Sequence, residues 1–203
     1  MSRTSTRKPS ARTRRRIADI ESPLLRGLPP IENPRARVLI LGSMPGVASL
    51  AAGQYYAHPR NLFWPLLGAI LGFDPGSDYA QRVAALQRAG IALWDVIGRC
   101  RRSGSLDARI DPKSIVANDF AAFLARHPRL HTVCLNGATA EAGWRRHVLP
   151  ALTAPGLRTL RLPSTSPANA SIDYERKLAA WAAALGGTND ASPRPPVGEA
   201  KNL

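Results

Sequence analysis

The side chains able to do chemistry gather in a few short stretches. One runs Gly42-Ser43-Met44-Pro45-Gly46 and is followed closely by Tyr55, Tyr56, His58, Arg60, Asn61, Phe63 and Trp64. Asp95 follows the apolar run Ile91-Ala92-Leu93-Trp94, Asn136 follows Thr132-Val133-Cys134-Leu135, and Ser164-Thr165-Ser166-Pro167 forms a hydroxyl-rich run. The chain has no glycine-rich phosphate loop with Lys, no Gly-x-Gly-x-x-Gly and no Ser-His-Asp arrangement, which excludes kinase-like, dehydrogenase-like and triad-hydrolase chemistry. Cys100 and Cys134 are too far apart for a Cys-x-x-Cys metal pair, so neither a metal nor a cofactor is expected. What is left is amides, hydroxyls and aromatic rings. That set suits a flat, uncharged base held against a ring and hydrogen-bonded along its edge.

Each of these residues also has a plainer reading. Phe63 fits a helix start packed in a core, and Asn136-Gly137 is a common turn pair. Asp95 fits a helix cap or other structural role, or a partner of Asn61 in handling water. His58 fits a loop histidine or a proton donor to a leaving base. Residue type alone leaves these alternatives open.

Alternating strands and helices must position the stretches. Arg37 to Gly42, Ile91 to Asp95, Thr132 to Leu135 and Leu157 to Leu162 read as short strands, each with a polar or turn-forming residue at or just after its end. Helices are expected over 62–71, 78–89, 118–126, 138–148 and 173–185, with Pro65 tolerated in a first turn and Asn118 or Asp119 as a cap. The pattern predicts an α/β fold, a three-layer αβα sandwich around a mostly parallel sheet of about four strands. Its ligand crevice should lie at the carboxyl ends of the strands.

With 28 Lys and Arg against 14 Asp and Glu, the net charge of +14 points to a polyanionic partner, since clustered arginines gain free energy by displacing counterions from phosphates. No apolar run approaches the roughly 20 residues a membrane helix needs. Arg3, Arg7, Lys8, Arg12, Arg14, Arg15 and Arg16 fall in a Ser/Thr-rich opening segment without an apolar stretch, which is read as a disordered arm on phosphates and not as a secretory signal. From Gly186 onward Gly, Pro, Asn and Ser without periodicity predict a disordered tail. A cytoplasmic monomer is expected.

The motifs resemble a known family. Gly42-Ser43-Met44-Pro45-Gly46, then Tyr56-Ala57-His58-Pro59-Arg60-Asn61-Leu62-Phe63-Trp64, is similar to the first motif of the mismatch-specific uracil-DNA glycosylases, Gly-x-Asn-Pro-Gly followed by Ala-x-Pro-x-Asn-x-Phe-Trp. Leu162-Pro163-Ser164-Thr165-Ser166-Pro167-Ala168-Asn169 resembles the second motif of the uracil-DNA glycosylase superfamily, whose loop enters the minor groove beside a flipped nucleotide. Met44 stands where the mismatch-specific members carry a water-placing Asn. With Gly90-Ile91-Ala92-Leu93-Trp94-Asp95-Val96 and Gly104-Ser105-Leu106-Asp107, that departure resembles the hypoxanthine-DNA glycosylase branch. The resemblance spans roughly 37–185.

Together with the composition of the two ends, the resemblance implies a basic arm at 1–26, a glycosylase-like domain at 27–186 and a tail at 187–203. It further implies a monofunctional DNA-deoxyinosine glycosylase acting on double-stranded DNA, flipping out a deaminated base, hypoxanthine foremost, and leaving an abasic site. A mismatch-specific uracil or thymine glycosylase and a non-catalytic nucleic-acid-binding module are the alternatives. Asn61 takes the catalytic role, positioning water through its carbonyl while donors stabilise the departing base. Phe63, Asn136, Met44 and Tyr56 are the candidate base-binding residues, with Phe63 as stacking platform and Asn136 reading the base edge. Ser43, Ser164, Thr165, Ser166 and Pro167 are the candidate DNA contacts. Lyase chemistry is not expected, because Lys8, Lys113, Lys177 and Lys201 all lie outside the motifs.

If the arm acts only on phosphates, deleting residues 1–16 will weaken binding to duplex DNA and flatten its salt dependence. Single-turnover excision at saturating enzyme should stay unchanged, and a collapse of that rate would contradict this role.

Overall fold

The computed structural model describes residues 22–152 and 156–186. In chain order its strands are β1 (Leu24–Arg26), β2 (Val38–Gly42), β3 (Ile91–Asp95), β4 (Ile97–Arg101), β5 (Val116–Ala117), β6 (Thr132–Asn136) and β7 (Arg158–Leu162). The helices are α1 (Val47–Ala52), α2 (Phe63–Leu71), α3 (Tyr79–Arg88), α4 (Phe120–Arg126), α5 (Ala138–Gly143) and α6 (Tyr174–Gly186).

The uninterrupted Val-Leu-Ile-Leu run of β2 is buried throughout, as expected of a parallel strand covered on both faces. It lies between β3 and β6, with β7 beyond β6, and every pairing in this four-stranded sheet is parallel. The register sets Gly42 level with Asp95 and Asn136 level with Leu162. The loops carrying the candidate residues therefore leave the same edge of the sheet.

Side chains alternate across the sheet, so Trp94 and Asp95 point to opposite faces. Trp94 lies 5.2 Å from both Phe120 and Phe123, and Phe120 packs edge-on against Trp144. On the other face Phe63 meets Trp64 and Trp181 edge-on at 5.0 and 5.9 Å, joining α2 to α6. This is the three-layer α/β architecture expected from the sequence. Pro65 sits in the first turn of α2, and Asp119 Oδ1 accepts from the Ala122 amide to cap α4.

A small antiparallel sheet, β1-β4-β5, was not foreseen. Its strand β1 pairs Leu24 with Arg101 and Arg26 with Arg99, so the last three residues of the expected arm at 1–26 form a strand. The remainder of the arm, 1–21, and the tail at 187–203 lie outside the described residues. Only Val96 separates β3 from β4. Val96 donates to the Gly42 carbonyl at 2.9 Å and Ile97 to the Ser43 carbonyl at 3.0 Å, so the ladder continues past the end of β2 into the first motif loop.

Phe63 is 0 % exposed at the junction of α2 and α6. Phe63→Ala is expected to cost about 3–5 kcal/mol in urea denaturation. A parental midpoint and slope would show that the ring is not part of the core.

Candidate active site

The first motif loop begins at a glycine for a steric reason. A Cβ on Gly42 would run into Asp95 Oδ1 and come within 3.1 Å of Tyr56 Oη. The loop is then held from below by Arg102, which is 1 % exposed. Its Nη2 donates to the Pro45 carbonyl, Nη1 to the Met44 carbonyl at 3.5 Å and Nε to the Gly104 carbonyl at 2.9 Å. Asp107 lies 3.8 Å from Nη1 and accepts a 2.6 Å hydrogen bond from Ser43 Oγ. Burial holds the Asp107 carboxyl above the usual carboxylate range, against the pull of the Ser43 hydroxyl and Arg102. Met44 is 5 % exposed and its side chain joins the core, so the expected base contact from Met44 is corrected: a thioether goes where apolar groups go.

Tyr56 has φ +54, a left-handed conformation that is uncommon outside glycine and costs about 1–3 kcal/mol. Two contacts hold it there. Its ring stacks on Phe63 at 4.0 Å and 20°, and its Oη accepts from Asn136 Nδ2 at 3.0 Å. Tyr56 is half-buried, whereas Phe63 lies wholly behind it, so Tyr56 is the ring at the crevice and the expected stacking platform at Phe63 is displaced into the core. Tyr55 is packing: its Oη donates toward the Leu28 and Pro29 carbonyls, and its own carbonyl accepts from Trp64 Nε1.

Asn61 sits just ahead of α2. Its amide donates to the His58 carbonyl at 2.8 Å, and its Oδ1 accepts from the Phe63 amide at 2.9 Å. The side chain is thus fixed, with a second lone pair remaining on Oδ1. His58 Nδ1 accepts from the Arg60 amide, which makes it part of the turn that presents Asn61.

Both N–H donors of the Asn136 side chain and one lone pair of its Oδ1 are engaged by the protein. Nδ2 donates to Tyr56 Oη and, at 2.9 Å, to Thr165 Oγ1, while Oδ1 accepts from the Thr165 amide at 2.9 Å. The expected edge reader is therefore a tie between β6, the Tyr56 loop and the second motif loop. Gly137 follows it because a Cβ there would stand 2.8 Å from the Ser164 Cβ.

Thr165 is 0 % exposed and its carbonyl accepts from the Leu62 amide at 3.0 Å. It cannot touch DNA, which corrects its expected role. Ser164 and Ser166 are half-buried, each Oγ accepting a backbone amide two residues on, while Pro167 and Ala168 form the exposed tip. Asn169 Nδ2 donates to the Ser164 carbonyl across the loop base, and buried Lys177 Nζ donates to the Asn169 carbonyl at 2.7 Å. Sequence reasoning missed both Lys177 and Arg102 as supports. In the structure Arg102 continues the period-two burial of Cys100 while Arg99 and Arg101 are exposed, a difference that residue type does not carry.

Asp95 is 3 % exposed, and its Oδ2 has no hydrogen-bond partner among the described residues. Burial first, then the neighbouring Asp107, pushes its carboxyl up to about 8, with Arg102 pulling the other way. The chain runs on from Asp95 into β4, so a helix cap is overturned. Among the described residues no group of three or more His, Cys, Asp and Glu could hold a metal, and no helix is long and apolar enough to cross a membrane.

A parallel four-stranded sheet between helices, with amides, hydroxyls and one half-covered ring at its carboxyl edge, defines an α/β protein of the DNA-glycosylase type. The sequence model of the Uracil DNA glycosylase superfamily matches residues 29–185, and the chain belongs to that superfamily. It is 39 % identical over 160 residues to the hypoxanthine DNA glycosylase of Methanosarcina barkeri, covering 78 % of this chain and 96 % of that protein. It is 35 % identical over 153 residues to the hypoxanthine DNA glycosylase of Methanosarcina acetivorans, covering 75 % and 92 %. The fold is similar to the solution NMR structure of a protein from Methanosarcina acetivorans provisionally described as a uracil DNA glycosylase, with a TM-score of 0.69 and 33 % identity, over 82 % of this chain and 99 % of that one.

Arg102→Met removes the clamp while keeping side-chain volume. It leaves the carbonyls of Met44, Pro45 and Gly104 without their guanidinium donor and Asp107 without that guanidinium but still bonded to Ser43, for an expected loss of about 3 kcal/mol, the low end for a broken buried pair because Asp107 is partly solvated. Urea denaturation at neutral pH measures this, and an unchanged midpoint would show that Arg102 does not hold the loop.

Proposed function

We propose that this protein is a monofunctional DNA glycosylase that flips a deaminated base, hypoxanthine foremost, out of duplex DNA and hydrolyses its N-glycosidic bond. The observation that carries this reading is the pairing of a half-covered Tyr56 ring with a fixed Asn61 at the edge of the sheet, and the names of the two Methanosarcina relatives support the choice of base. A base stacked on the outer face of Tyr56 gains about 1–3 kcal/mol from the ring, irrespective of sequence. Asn61 Oδ1, already anchored by the Phe63 amide, offers its free lone pair to the water that attacks the sugar.

The remaining residues serve DNA binding. Pro167 at the exposed tip, with Ala168, enters the minor groove, and Ser43, Ser164 and Ser166 meet the flanking phosphates. Asn136 acts by holding Tyr56 and Thr165 in register. Lys177 is committed to the Asn169 carbonyl, which leaves hydrolysis and not Schiff-base chemistry as the route. The protein works as a monomer in the cytoplasm.

Single-turnover assays on duplexes carrying hypoxanthine, uracil or xanthine test the reading. Hypoxanthine is expected to be released fastest. Asn61→Ala should lower that rate by about a hundredfold or more, the scale of one lost transition-state contact, whereas Met44→Ala should cost much less. A fully active Asn61→Ala beside a dead Met44→Ala would place the water elsewhere, and a parent that releases none of the three bases would end the glycosylase reading.

A further inference from the structure

Asp95 is a costly residue to keep buried at the carboxyl end of β3, behind the Tyr56 hydroxyl. Its Oδ1 lies against Gly42 beside Tyr56 Oη, and its Oδ2 is buried without a hydrogen-bond partner among the described residues. The buried guanidinium nearby does not serve it, because Arg102 spends its N–H groups on the carbonyls of Met44, Pro45 and Gly104 and faces Asp107. The other ionisable groups facing Asp95 are Asp107 and the phenols of Tyr55 and Tyr56, none of which brings positive charge. An ionised carboxylate here would be desolvated, unpaired and next to a second carboxylate. The neutral acid is the form this site tolerates.

We propose that Asp95 is a further catalytic residue: a neutral carboxylic acid whose O–H donates to the carbonyl oxygen of the extruded base while its own carbonyl accepts the adjacent ring N–H. The proposal rests on the glycosylase reading. Its geometry follows from Asp95 flanking the hydroxyl end of the Tyr56 ring, where the edge of a base stacked on that ring falls. A carboxylic acid and a lactam offer each other one donor and one acceptor side by side. When the bond from C1′ to the base nitrogen breaks, its electron pair stays on the base and charge spreads to the lactam oxygen. Water adds to C1′, and the proton it releases neutralises the departing base. Asp95 keeps its own proton throughout and strengthens its hydrogen bond as that charge develops, which is binding realised in the transition state. An acid kept neutral by an apolar site is a known means of donating a hydrogen bond at neutral pH.

The same carboxyl works against stability. Its value rises from the ordinary 3.8 to about 8 on folding, so the folded state is favoured most below 3.8 and loses ground steadily as pH rises to about 8. Asp95→Asn removes that loss. Its melting temperature should exceed the parent's by a margin that widens from about pH 4 to pH 8, whereas a merely structural Asp95 would give a variant less stable than the parent.

Single-turnover excision of hypoxanthine at saturating enzyme, followed from about pH 6 to pH 9.5 for the parent, Asp95→Asn and Asp95→Leu, decides the role. The parent rate is expected to fall above about pH 8. Asp95→Asn keeps a donor of the same shape, so it should remain within about tenfold of the parent at neutral pH and lose the alkaline fall. Asp95→Leu should lose about a hundredfold or more. An alkaline fall that persists in Asp95→Asn, or a parental rate in Asp95→Leu, overturns the proposal and leaves the glycosylase reading intact. A parent inactive on every lesion overturns both. Asp-selective carbon NMR of the side-chain carboxyl gives a readout besides activity: the Asp95 signal should stay that of the protonated form through neutral pH and shift on adding free hypoxanthine. An Asp95 that is ionised at pH 7 sinks the idea regardless of rates.

Discussion

The three hydrogen bonds of the Asn136 side chain hold the crevice together. One amide group at the end of β6 reaches the Tyr56 hydroxyl from one loop and both the backbone and the hydroxyl of Thr165 from another. Thr165 in turn accepts from the Leu62 amide, one residue beyond Asn61. The loop of Asn61, the Tyr56 ring and the base of the exposed tip therefore share one polar knot. Because all of its members are at least half-buried, each bond is made in a medium where a missing partner would be expensive. The left-handed backbone of Tyr56 persists because this knot and the Phe63 stack over-determine it.

Much of the frame was legible because burial leaves a simple mark on a parallel strand. The runs ending at Gly42, Asp95 and Asn136 are short, apolar and closed by a residue that stops or turns the chain, and they became neighbouring strands of one sheet, with the mixed run Arg158–Leu162 at its edge. The antiparallel sheet had no such mark. In Ile97-Gly98-Arg99-Cys100-Arg101 a glycine and two arginines interrupt the apolar pattern, and β5 is only Val116–Ala117. Arg99, Arg101 and Arg102 are of one residue type, and nothing local tells which guanidinium turns inward to find three carbonyls.

Residue types together with the family resemblance singled out Asn61, Tyr56, Asn136 and the Ser164–Pro167 run, and the structure joins Tyr56, Asn136 and Thr165 by hydrogen bonds. Which ring lies in front of which, however, is decided by tertiary stacking: Phe63 begins a helix that packs on α6, and Tyr56 arrives on top of it from the preceding turn. Likewise the valence of Asn136 could not be assigned from sequence, since an amide with two donors and one acceptor oxygen suits a base edge and a loop knot equally well. Thr165 looked like a phosphate contact until its burial showed that it faces inward.

The sheet does not stop where the strands stop. Val96 and Ile97 continue the ladder onto the carbonyls of Gly42 and Ser43, so the first motif loop leaves the domain already bonded in place. The Val96 and Ile97 amide protons that its carbonyls accept should exchange with solvent as slowly as those of the core strands. Duplex DNA thus meets a wall whose shape was set when the chain folded. The conformational entropy of that loop is surrendered once per protein molecule and not once per damaged base.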